Sequence, residues 1–215
     1  CRELRKIHTL RDSDKPLCPR KLIRGIAAAS PDNRIVTTDV GQHQMWTAQS
    51  YPFSAPRTFL TSGGLGTMGY GLGAAIGAAV ATNGTVTMIT GDGSFHMNLN
   101  EIPTAVKNKL NIKIFVLDNN VLGMVRQWQT LFYGKRYSST TLNLPTDYVM
   151  LAKAFGAKGF VLERNEDIES TVKAAFETEG TVIVDCRIIS DEFVLPMIPP
   201  GKSADDIITE LEEQK

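Results

Sequence analysis

Three runs of apolar, β-branched residues each end abruptly in a cluster of glycine, aspartate, asparagine or glutamine. Arg34-Ile35-Val36-Thr37-Thr38 runs into Asp39-Val40-Gly41-Gln42-His43, the 85–90 run into Gly91-Asp92-Gly93-Ser94-Phe95, and the 112–117 run into Asp118-Asn119-Asn120. That content reads as buried strand. Helical periodicity fills the intervals, over 19–29, 69–81, 101–109, 121–131, 146–155 and 166–177. Further strands are expected over 58–61, 158–162 and 181–188. Strands alternating with helices predict an α/β fold, a parallel sheet with helices on both faces. Such sheets bind ligands outside the carboxyl ends of their strands, where strand order reverses. The three polar clusters all stand at carboxyl ends.

A chain of 215 residues with 42% hydrophobic and 21% charged residues suits one such domain with terminal appendages. Residues 1–15 read as a linker remnant, 16–201 as the domain, and 202–215 as an acidic surface tail with one short helix. The chain opens at Cys1 on a charged stretch, which reads as a piece of a longer polypeptide. Lys plus Arg equals Asp plus Glu at 23 each, so no net charge recruits nucleic acid or an anionic membrane. The longest apolar run, 70–81, falls short of the roughly 20 residues of a bilayer span. Cys1, Cys18 and Cys186 lack CxxC spacing, which argues against a zinc site or disulfide framework and for a reducing interior.

The paired clusters at 91–94 and 118–120 carry the chemistry. Mg²⁺ takes six oxygens, commonly one or two carboxylates plus substrate phosphates. Asp92 on a glycine-flanked turn offers one oxygen and leaves room for a diphosphate. The Asn119 side chain and the backbone carbonyl of Val121 add two more. Glycines permit close backbone approach, and a following helix N-terminus presents N–H groups to an anion. Either cluster alone reads as a plain turn or a helix cap; on successive strands they point to a metal. Gly64-x-Gly66-x-x-Gly69 also matches a dinucleotide fingerprint, but a nucleotide reading leaves Asn119 without a role. Gly69, Gly73 and Gly77 read as a helix packing face, and Glu101 as a helix-surface residue.

A GDG turn followed some twenty-five residues later by an Asn pair resembles the thiamine-diphosphate enzymes. Val40-Gly41-Gln42-His43-Gln44-Met45-Trp46, the stretch from Thr61 to Leu72, Gly123-Met124-Val125-Arg126-Gln127-Trp128 and Val194-Leu195-Pro196-Met197-Ile198-Pro199 resemble its acetolactate synthase branch. The similarity spans about residues 16 to 201. It implies Mg²⁺ on Asp92, Asn119 and the Val121 carbonyl. The diphosphate would lie against Gly41, Gln42, His43, Gly93, Ser94, Leu122 and Gly123, with Val40 and Gly91 beside it. Met68 and Gly66 would support the bent cofactor, and Met124 would line the same pocket. Trp128 and Met68 would act at the reacting end, Trp128 in the acceptor pocket. His43 is expected to be a neutral donor to phosphate rather than an acid or base. Gly73 replaces the family's proline and should loosen a helix start. Asp118 replaces its first asparagine and adds charge near the metal.

The resemblance further implies pyruvate decarboxylation and carboligation to pyruvate or 2-oxobutanoate, in branched-chain amino-acid synthesis. The activating glutamate and the FAD-binding domain would lie elsewhere in a full-length parent, so the isolated chain is expected to be inactive. A homodimer or tetramer, a regulatory small subunit, and a cytoplasmic location (plastid or mitochondrion in a eukaryote) follow as expectations. Another enzyme of the same cofactor class and a non-catalytic binding module are the alternatives; intact Asp92 and Asn119 argue against the latter.

Overall fold

Pro19 opens the first helix, α1 (Pro19–Ala29), where a missing N–H costs nothing, and Leu22, Ile23 and Ile26 form its buried stripe. The computed structural model describes residues 16–30, 35–143 and 145–210; the expected linker, Arg34 and the last five tail residues lie outside them. Strands β1 (Val36–Thr38), β2 (Phe59–Thr61), β3 (Val86–Gly91), β4 (Ile112–Asp118), β5 (Lys158–Leu162) and β6 (Val182–Arg187) follow. They form one six-stranded sheet of order β2-β1-β3-β4-β6-β5 with every pairing parallel. This is the expected α/β architecture.

Period-2 alternation divides the core in two. Ile89, Phe115, Leu117, Val182, Val184 and Cys186 face α1 and the helices α2 (Gln42–Ser50) and α8 (Ile168–Glu177). Val86, Met88, Ile112, Ile114, Val116 and Ile183 face α3 (Tyr70–Thr82), α5 (Ile102–Lys107) and α7 (Tyr148–Ala154). Both faces are dry, so the central strands read as unbroken apolar runs. One turn, α4 (Asp92–Phe95), leaves β3, and α6 (Gly123–Phe132) follows β4.

The chain leaves β1 for β2 on one side and leaves β3 for β4 on the other. Strand order therefore reverses between β1 and β3, and a crevice opens above their carboxyl ends.

The fold departs from the sequence expectation in several places. Helix α2 was not expected; its inward face is Gln42, His43, Trp46 and Thr47, mostly polar, so it has no apolar period to read. The expected helix 101–109 is a 3₁₀ turn (Leu99–Glu101) and then α5, and Lys109 at φ 52° closes it. Helix α3 runs unbroken through Gly73 from Tyr70, with Gly69 as left-handed cap. In the tail, a 3₁₀ turn (Ala204–Asp206) is closed by a capping box between Ser203 and Asp206, and Ile208 bridges to Met197. Among the described residues no helix is long and apolar enough to cross a membrane.

Candidate functional site

Asp39 fastens the switch point together. Fully buried, it accepts the Gly71 N–H at 2.7 Å on one oxygen and the Thr90 hydroxyl at 2.6 Å on the other, joining β1 to α3 and β3. Gly71 permits this, since a Cβ there would lie 3.0 Å from the Asp39 nitrogen. Beyond Asp39 the chain passes Val40 and turns into α2 at Gly41, whose φ of 152° suits glycine. The first-turn N–H groups of α2 then have no intrahelical partner.

At the end of β3, Asp92 is 3% exposed. Its Oδ1 accepts the Gly93 N–H at 2.9 Å, and its Oδ2 accepts the Asn120 N–H at 2.7 Å, which ties the β3 turn to the β4 turn. The flanking glycines make room: a Cβ on Gly91 would stand 2.9 Å from His43 Nδ1, and one on Gly93 2.9 Å from Leu122 Cδ2. Ser94 donates its hydroxyl to the Val40 carbonyl at 3.0 Å, closing the gap to β1.

At the end of β4, Asn120 adopts a left-handed φ of 59° and turns the chain back. Asn119 Oδ1 accepts the Val121 N–H at 3.1 Å. Val121 bridges antiparallel to Thr141, and the flanking bonds run from Leu122 N–H to the Thr140 carbonyl and from Leu142 N–H to the Asn120 carbonyl. Val121 and Thr141 are thus a non-hydrogen-bonded pair, which leaves the Val121 N–H and C=O pointing away from Thr141. Asp92, Asn119 and Val121 all line one open cleft.

The titratable groups and donors of the cleft can be compared with what a cation and an anion need. Burial, then the hydrogen bond and the charge of Asp118, push the Asp92 carboxyl up to about 8. Among the described residues no lysine or arginine pairs with it. Asp118 does bring added charge to this point, as expected. No group of three or more His, Cys, Asp or Glu residues suited to a metal occurs among the described residues. The donor set is one carboxylate, one amide oxygen and one carbonyl, which fits a Mg²⁺ whose remaining oxygens come from a phosphate ligand and water. Burial lowers His43 to about 4 despite Asp39, so its ring is neutral at pH 7, in keeping with the neutral reading. His43 Nε2 and Trp46 Nε1 are buried without hydrogen-bond partners, and both residues line the cleft. Such orphaned polar atoms, two helix N-termini (α2 and α6) and the Gly91 and Gly93 turns fit a diphosphate.

Most of the expected set meets here. From the β1 turn come Val40, Gly41, Gln42 and His43; from the β3 turn Gly91, Asp92, Gly93 and Ser94. Met68 enters from the loop before α3, and Asn119, Val121, Leu122 and Met124 from the β4 turn and the start of α6. Three expected residues do not line the cleft. Gly66 lies behind Val40, whose Cγ1 is 3.8 Å from where its Cβ would be. Gly123 backs onto the Gln42 and Asn119 amides. Trp128 is 39% exposed on α6, edge-on to Phe132. Trp46, Leu117 and Val125 line the cleft and were not singled out. Trp46 lies one turn beyond Gln42, a relation visible only once α2 is recognised as a helix.

A family model described as thiamine pyrophosphate enzyme, C-terminal TPP binding domain, matches residues 39–186. The match begins on the aspartate that fastens the switch point and ends in β6. The large subunit of acetolactate synthase isozyme 2 of Escherichia coli (strain K12) is 44% identical over 215 residues, covering 98% of this chain and 39% of that protein. The mitochondrial catalytic subunit of acetolactate synthase from Saccharomyces cerevisiae is 43% identical over 205 residues, 94% of this chain and 30% of its own length. The acetolactate synthase large subunit of Pyropia yezoensis is 47% identical over 173 residues, 80% and 29% respectively. The chain spans less than two fifths of the length of these relatives. With the cleft at the switch point and a family match running across it, the chain belongs to the thiamine pyrophosphate enzymes as their C-terminal cofactor-binding domain.

Proposed function

We propose that this domain holds the Mg²⁺-diphosphate end of thiamine diphosphate in an acetolactate synthase. The observation that carries the reading is the meeting of the Asp92 carboxylate, the Asn119 amide and Val121 in one cleft at the switch point. Asp92, Asn119 and the Val121 carbonyl would ligate the metal. Gly41, Gln42, His43, Gly93, Ser94, Leu122 and the α6 N-terminus at Gly123 would receive the diphosphate, with Val40 and Gly91 at its sides. Met68 and Met124 would give the rest of the cofactor an apolar wall, Met68 with Gly66 behind it.

When bound, the cofactor supplies a carbanion that lets a 2-oxoacid lose CO₂ and pass its remaining carbons to an acceptor. The chain's own residues bind and orient. Asp92 neutralises charge at the metal, neutral His43 adds no competing cation, and the glycine turns admit phosphate oxygens to backbone N–H groups. The relatives are named acetolactate synthases; on this reading the donor would be pyruvate and the acceptor pyruvate or 2-oxobutanoate. The activating glutamate, FAD, dimerisation or tetramerisation and any regulatory small subunit belong on this reading to the parent protein. Residues 16–201 would form the working domain. The isolated chain would bind cofactor without turnover.

The test is thiamine-diphosphate titration of the parent protein with and without Mg²⁺, for wild type and Asp92→Ala. The variant should fold and lose Mg²⁺-dependent binding, a loss of about 2–5 kcal/mol for removing the one anionic ligand. Undiminished affinity in the variant would sink the metal assignment.

A further inference from the structure

Behind the cleft wall, side-chain amides form a chain of fixed sense. Gln127, on α6, is 1% exposed. Its Oε1 accepts the Val194 N–H at 2.8 Å and the Gln42 Nε2 at 2.9 Å, while its Nε2 donates to the Val194 carbonyl at 3.0 Å and to Met197 Sδ at 3.2 Å. Gln42 Nε2 also donates to the Glu192 carbonyl at 2.8 Å, and Gln42 Oε1 accepts from Asn119 Nδ2 at 3.3 Å. Asn119 then turns its oxygen the other way, to the Val121 N–H.

The two ends of an amide are nearly the same size, so hydrogen-bond partners decide which end faces where. Val194 presents both an N–H and a C=O to Gln127, and only one orientation of the Gln127 amide satisfies both. Its oxygen must then face Gln42. With acceptors on that side from Gln127 and Glu192, Gln42 must point its NH₂ there and its oxygen toward Asn119. Asn119 must meet that oxygen with its own NH₂, which leaves its oxygen on the Val121 side. Gly123 keeps the junction open: a Cβ there would stand 2.0 Å from Gln42 Oε1 and 2.8 Å from Asn119 Nδ2. The same C-terminal segment holds the Asn119 backbone, whose carbonyl accepts the Ser190 hydroxyl at 2.9 Å.

We propose that Gln127 is a positioning residue: through Gln42 it orients the Asn119 amide so that an oxygen, not an NH₂, faces the metal. This rests on the reading of Asn119 as a Mg²⁺ ligand. The segment from Ser190 to Met197 thereby sets metal affinity from outside the cleft.

Gln127→Glu and Gln127→Met separate positioning from packing. The glutamate keeps an acceptor for Gln42 Nε2 and the Val194 N–H but sets a carboxylate against the Val194 carbonyl. The methionine keeps the volume and loses the acceptor. The measurements, in the parent protein, are the Mg²⁺ Kd at saturating thiamine diphosphate, cofactor affinity without metal, and the melting temperature. Positioning predicts a Mg²⁺ Kd within about threefold of wild type for Q127E and weakened about tenfold for Q127M, the scale of one or two neutral hydrogen bonds. Metal-free cofactor affinity should not move. A purely structural role predicts that Mg²⁺ affinity follows melting temperature, with the buried carboxylate of Q127E the worse variant, and that order overturns the proposal. If Q127E does not fold, Q127M still decides, because an unchanged Mg²⁺ Kd at a lowered melting temperature also overturns it. Wild-type protein that binds cofactor without regard to Mg²⁺ would instead overturn the functional reading, and this inference with it.

Discussion

On the reading of Asp92 as a Mg²⁺ ligand, removing the Asp118 carboxylate should move the pH at which the proposed metal site becomes competent. Asp92 stands at about 8, well above an ordinary aspartate, chiefly from burial and then from the hydrogen bond and charge of Asp118. Its folded pKa is raised, so the folded state holds the proton more tightly than the unfolded chain. The contribution to stability is complete below about 3.8, falls as pH climbs through the window, and is gone by about 8. At about 1.4 kcal/mol per pH unit, the shift sets a ceiling on the order of 6 kcal/mol on what the fold loses across that span. Mg²⁺ binding to Asp92 requires the carboxylate, so the ion displaces a proton below pH 8. Its Kd should then tighten by up to about tenfold per unit between pH 6 and 8 and level off above. Asp118→Asn removes the second and third causes and leaves burial, so the plateau should begin at lower pH. The assay is Mg²⁺ titration at saturating cofactor from pH 6 to 9, with calorimetry in two buffers of different ionisation heat to count released protons. A pH-independent Kd with no proton release, or an unmoved plateau in Asp118→Asn, would refute the reasoning.

Gly91→Ala should disturb the His43 ring, 2.9 Å from the new Cβ, without backbone strain, since Gly91 has φ −104°. We expect a stability loss of about 1–3 kcal/mol by thermal melting and weaker cofactor binding. Trp128→Leu should leave melting within about 0.5 kcal/mol, because the indole is 39% exposed and outside the cleft. In a product-ratio assay with both acceptors it should lower the preference for 2-oxobutanoate, one methylene being worth about 1–3 kcal/mol in an apolar pocket; an unaltered ratio would remove Trp128 from the acceptor site.

The fold was legible where burial is two-sided. The strands ending at Thr38, Gly91 and Asp118 carry dense apolar runs because helices cover both sheet faces. Pro19 fixed the start of α1 to the residue. What escaped was α2. A helix that buries a glutamine, a histidine and a threonine alongside one tryptophan has no period of 3.6 in its hydrophobicity. Its inward face is mostly polar because its first turn lines the cleft, while Trp46 also packs in the core. The failure of the pattern at 42–50 is thus itself a mark of function.

The same distinction separates the site residues that sequence exposes from those it hides. Asp92 and Asn119 end buried strands, so a polar residue there stands out against its neighbours. Gln127 lies on a helix with a clear amphipathic pattern, between half-buried Arg126 and exposed Trp128, and by composition is an ordinary surface glutamine. Its burial depends on Val194 and Met197 folding back over α6, contacts more than sixty residues away in sequence. Direct ligands must be of a particular chemical type at a strand end, and local sequence records that. A residue that orients a ligand needs only an acceptor and a donor at the right distance from segments that meet in the folded chain. Its signature is therefore tertiary, and positions such as Gln127 become visible only when hydrogen bonds are followed outward from the proposed metal site.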